Sequence, residues 1–150
     1  MIRTSLIPAL ALALLVGAAR ADEKEGLAKE MKALAGTWEV VKMVHDGVVA
    51  PLPPEGSPRV TVKEDGSYSV KAADMALESG ISKINPAKSP KTLDVTPADG
   101  PNKGKALLGI YELKGDELRV CWSEPGKDRP ADFSSKEGSG RTLIVYKRVK

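Results

Sequence analysis

Few residues of this 150-residue chain have the type and spacing for covalent chemistry. Cys121 is the only cysteine and His45 the only histidine, so a His-rich metal centre, a Ser-His-Asp triad and a Cys-His pair are all disfavoured. One cysteine also rules out an intramolecular disulfide. Cys121 alternates with Val120 and Trp122 in a strand pattern and reads as a packing thiol. His45 stands beside the turn signal Asp46-Gly47 and reads as a solvated turn residue. Gly-x-Ser-x-Gly elbows, phosphate loops and dinucleotide fingerprints are missing from the sequence. Gly138-Ser139-Gly140-Arg141 has the composition of an anion nest, yet it reads more simply as a turn feeding the last strand. Asp94 and Glu78 are two of many carboxylates, and nothing in the sequence pairs them. The expectation is a non-enzyme, with no catalytic residue, metal ligand or cofactor.

The elements that must position these side chains begin after a leader. Arg3 supplies a positive start, Leu6 to Ala19 is an uncharged Leu/Ala-rich run, and Ala19-Arg20-Ala21 fits a small-x-small cleavage site. Residues 1–21 therefore read as a signal peptide cut after Ala21, and residues 22–150 as one exported domain, periplasmic or secreted. The run falls short of the roughly 18 residues a spanning helix needs, so no transmembrane segment is expected after cleavage. Loss of Arg3 and Arg20 lowers the formal charge from +3 to +1, and the lysines are scattered among acids. That pattern argues against nucleic acid as a partner.

Leu27, Met31 and Leu34 form an apolar stripe at i, i+4 and i+7 behind Asp22, Glu23 and Glu25, which predicts a short N-terminal helix ended by Gly36. A lid over one end of the fold suits it. Strand patterning then runs from Thr37 to Val44, Val60 to Val70, Met75 to Ile84, Lys91 to Val95, Leu107 to Trp122 and Thr142 to Arg148. Pro51 to Pro58, Asn85 to Pro90 and Ser123 to Arg141 read as loops.

Two hairpin registers follow from side-chain alternation. A three-residue loop with a left-handed Gly66 pairs Val62 with Tyr68 and Val60 with Val70, keeping apolar residues on one face. A two-residue loop at Gly115-Asp116 pairs Leu113 with Leu118, Tyr111 with Val120, Gly109 with Trp122 and Glu112 with Arg119. Eight short strands without βαβ alternation predict an all-β, eight-stranded antiparallel up-and-down barrel with one short N-terminal helix; a two-sheet sandwich is the alternative.

The chain also resembles a family of secreted, lipocalin-like domains of planctomycete bacteria that has no established biochemical role. The resemblance spans Leu34 to Arg148. It rests on Gly36-Thr37-Trp38-Glu39-Val40, Asp46-Gly47, Ile84-Asn85-Pro86 through Pro90-Lys91-Thr92-Leu93-Asp94, Lys103-Gly104-Lys105, Gly109-Ile110-Tyr111, and Arg129-Pro130 with Phe133 before Gly138-Ser139-Gly140. The wider likeness to lipocalins rests on Gly36-x-Trp38 after a short helix and a basic residue near the end of the chain. It implies that Gly36, Trp38 and Arg148 close one end of the barrel, with the Arg148 guanidinium over the indole. The chain departs from typical lipocalins in lacking disulfides and in its shorter strands.

A barrel of this kind supports two functional readings. In the first, it binds a small apolar or amphipathic ligand among inward residues Val40, Val62, Tyr68, Tyr111, Val120 and Trp122. In the second, it is a non-catalytic cell-envelope interaction module with a packed interior, meeting an envelope protein or polymer through Pro51 to Pro58 and Ser123 to Arg141. Lys88, Lys91, Lys103 and Lys105 form a basic neighbourhood in sequence that would suit an anionic head group or envelope polymer at one barrel mouth, although solvated loop lysines account for them more simply.

Overall fold

The computed structural model describes the backbone of residues 10–150 and the side chains of residues 17–150, so Arg3 and the first part of the leader lie outside the described residues. Helix α1, Leu10–Leu34, is followed by strands β1 (Gly36–His45), β2 (Val48–Val49), β3 (Arg59–Val62), β4 (Ser67–Ala72) and β5 (Met75–Asn85). Four more complete the chain: β6 (Lys91–Pro97), β7 (Leu107–Lys114), β8 (Glu117–Trp122) and β9 (Thr142–Arg148). Antiparallel pairing runs β1-β3-β4-β5-β6-β7-β8-β9 and returns from β9 to β1, closing an eight-stranded lipocalin-like barrel. The two-residue β2 is a spur on the far end of β1, paired through Val44 with Val49. Closure leaves no long sheet edge to template aggregation.

Both expected hairpin registers are observed. Val62 faces Tyr68 and Val60 faces Val70 across β3 and β4, with Gly66 left-handed at φ 90°. Leu113 faces Leu118, Tyr111 faces Val120 and Gly109 faces Trp122 across β7 and β8. Gly115 takes φ 57° while Asp116 stays out of the left-handed region, as a II′ turn requires. Gly109 is needed for a steric reason, because a Cβ there would stand 2.6 Å from Cε3 of Trp122.

One correction concerns the helix. It is 25 residues long and runs without a break from the apolar run through Ala21, so Asp22, Glu23 and Glu25 lie mid-helix rather than in its first turn. Only its last turns engage the barrel: Leu34 is buried and Met31 packs against the core, whereas Leu27 is exposed. Gly36 is the first residue of β1, at φ 132°.

The segment between β8 and β9 wraps the outside of β6, β7 and β8 as a second layer. Arg129 forks onto the Asp94 carboxylate and donates to the Gly109 carbonyl at 2.8 Å. The Arg119 guanidinium lies 4.8 Å from the Phe133 ring centroid, and Cys121 Sγ approaches the Ser134 carbonyl at 3.7 Å. This cover explains why Ile110 and Cys121, which point away from the barrel interior, are buried. Burial raises the Cys121 thiol pKa and keeps it protonated.

Candidate ligand-binding cavity

Strand direction gives the barrel two unlike ends. At one end, the close of α1 meets the β3–β4, β5–β6 and β7–β8 connections. Trp38 is fully buried there, and its Nε1 donates to the Leu34 carbonyl at 2.9 Å. The Arg148 guanidinium carbon lies 4.2 Å from the centre of the indole, while its nitrogens donate to Ala33 O at 2.7 Å and Ala35 O at 3.0 Å. These are carbonyls that the end of a helix leaves without intrahelical partners. A Cβ on residue 36 would meet Arg148 Nη1 at 3.0 Å, so glycine admits the arginine.

Beside them, Glu30 accepts from Lys91 Nζ at 2.7 Å and from the Tyr111 hydroxyl at 3.0 Å. Tyr111 is 1% exposed; burial and the Glu30 charge hold its phenol far above the ordinary range. The basic neighbourhood of the sequence therefore divides. Lys88 and Lys91 belong to this closed end, and Lys103 and Lys105 to the connection at the opposite one.

Behind this plug lies an apolar cavity of about 490 Å³. Val40, Val62, Tyr68, Tyr111, Val120 and Trp122 all line it, together with Val60, Val70, Ile84, Leu93, Ile144 and Tyr146. Period-two alternation puts them there, since every second residue of a barrel strand faces inward. Trp38 and Arg148 lie outside the cavity lining, in the plug.

Two inward residues escape simple alternation. The pairing of β1 with β9 shifts between Val40 and Lys42, leaving Val41 as an extra, exposed residue. The bulge resets the parity of the strand, so Val40, Met43 and His45 all line the cavity. His45 is thus a strand residue at the rim rather than a turn residue, still exposed, with Nδ1 2.8 Å from Thr142 Oγ1. On β5, Glu78 stands opposite Val70 and faces inward in unbroken alternation with Ser82 and Ile84, and the shift between Val70 and Lys71 falls just before it in the chain, at Leu77. Tyr68 donates to Glu78 Oε1 at 2.7 Å. Burial, followed by this hydrogen bond and the carboxylate charge, raises the Tyr68 pKa well beyond its usual value.

The open end is framed by His45, Pro58, Asn102, Glu124, Gly140 and Thr142. Gly140 N donates to Asp46 Oδ1 at 2.7 Å, so the Gly-Ser-Gly turn takes a carboxylate of the chain itself. That bond ties the β1–β2 turn to the outer wrap. Among the described residues, no group of three or more His, Cys, Asp or Glu side chains is placed to hold a metal ion, and no helix is long and apolar enough to cross a membrane. Compared with protein-family models, curated proteins and solved structures, the chain matches none of them.

Proposed function

We propose that this chain is an exported lipocalin-like domain that holds a small apolar or amphipathic molecule inside its barrel. The observation that carries the reading is the cavity of about 490 Å³, walled mainly by aliphatic and aromatic side chains. Small-molecule sites range over roughly 300 to 1,000 Å³ and combine apolar walls with a few polar groups. The mature domain, residues 22–150, would act in the periplasm or outside the cell, in line with its leader and its resemblance to the planctomycete domains. The interaction-module reading needs a packed interior, which the cavity does not favour. Its largest contact loop, Ser123 to Arg141, is also engaged against the barrel wall.

Native mass spectrometry of protein purified from its own cell envelope is expected to show a co-purifying mass that organic extraction removes. The emptied protein is expected to take up an apolar probe such as N-phenyl-1-naphthylamine, with a change in Trp122 emission. A protein that carries no extra mass and takes up no probe would be incompatible with this function.

A further inference from the structure

Resting on the cavity-binding reading, the charge inside the barrel narrows the chemical class of the occupant. The lining holds two carboxylates, Glu78 on the wall of β5 and Glu124 at the mouth. The guanidinium that shares the lining, Arg59, has Nη2 2.6 Å from Glu39 Oε2, so its charge is already matched. No ion pair among the described residues includes Glu78. Its hydrogen-bond donor among the described residues is the Tyr68 hydroxyl on Oε1, which leaves Oε2 without a protein donor.

Glu78 is half-buried, and an anion partly withdrawn from water beside apolar walls is stabilised by a cation or by further donors. A single phenol answers only part of that need. Tyr68, Tyr146 and Trp122 share the same lining, and aromatic rings attract cations when desolvated. Burial and the Glu78 charge raise the phenols of Tyr68 and Tyr146, so both remain neutral around the carboxylate. An anionic amphiphile such as a fatty acid would meet like charge at this position.

We propose that the barrel selects a cationic amphiphile, an alkyl or aryl ammonium whose nitrogen pairs with Glu78 among these aromatic rings while its apolar body fills the remaining cavity. The test uses three probes with the same eight-carbon tail, octylamine, octanol and octanoate, titrated calorimetrically against the emptied protein and the Glu78→Gln variant. Glutamine keeps an acceptor for Tyr68, and far-ultraviolet circular dichroism checks the fold.

The expected result is octylamine binding at least tenfold tighter than octanol, octanoate weakest, and an amine-to-alcohol ratio that collapses toward one in E78Q. Equal binding of amine and alcohol to the parent protein, or a ratio that survives E78Q, overturns the cation proposal while leaving cavity binding intact. Failure of all three probes to bind overturns both.

Discussion

The two ends of the barrel are built on opposite principles. At the closed end, polar groups are answered from within the chain: Trp38 and Arg148 donate to carbonyls at the end of α1, and Glu30 gathers Lys91 and Tyr111. At the open end, exposed His45 and Glu124 stand on the rim around a route to the interior. The closed end supplies the ordered contacts that hold the ring shut, whereas the open end and the wall behind it hold chemistry without packing it away. Stability and binding should therefore respond to different substitutions.

The sharpest way to break that contrast is Trp38→Ala. Removing a fully buried indole leaves a hole under Arg148 and an unanswered Leu34 carbonyl. The expected loss is about 3–5 kcal/mol, read as a shift of the urea midpoint. A loss below about 1 kcal/mol would mean that the plug does not hold the barrel closed.

Ile144→Phe tests the other side. Ile144 lines the cavity, and the larger ring should occupy space otherwise open to a ligand. Apolar-probe affinity is expected to fall at least tenfold, while stability changes by less than about 1.5 kcal/mol. Should binding and stability fall together, the proposed separation of the two roles is wrong.

The smallest expected effect varies with pH only in alkaline solution. The folded Tyr111 pKa lies above its ordinary value of 10.0, so its contribution is present below about pH 10 and is lost as pH rises toward the folded value. Tyr111→Phe should cost about 1 kcal/mol at pH 8 through the lost bond to Glu30. Between pH 8 and pH 11 the parent protein should then lose more stability than the variant, by urea titration at each pH. Parallel losses would show that this phenol does not sense folding.

Much of the fold could be read from the sequence because alternation and glycine placement agree. Val60, Val62, Tyr68 and Val70 fix one hairpin register, and Gly109 opposite Trp122 fixes another. The six inward residues expected from strand patterning follow from the same alternation. What stayed hidden depends on interruptions of that period and on long-range cover. The inward turn of Met43 and His45 needs a bulge that apolar patterning does not mark. The outer-face burial of Ile110 and Cys121 comes from a segment rich in Gly, Pro, Ser and charge, whose composition reads as a solvated loop. The inner carboxylate was visible only as one acid among many, since the partner that gives it meaning, Tyr68, lies across the β4–β5 ladder.

The irregularity at Val41 reaches beyond local geometry. Were that one valine taken into a regular ladder instead of being left over, inside and outside would exchange along the rest of the strand, sending Met43 and His45 toward solvent and Lys42 and Val44 inward, whereas deleting it would leave Met43 and His45 facing in. The seating of a single surplus residue thus decides which functional groups greet a molecule arriving at the mouth. Related chains that lose it should present the same inward groups, whereas chains that keep it without the bulge would present the other face of the strand at the mouth.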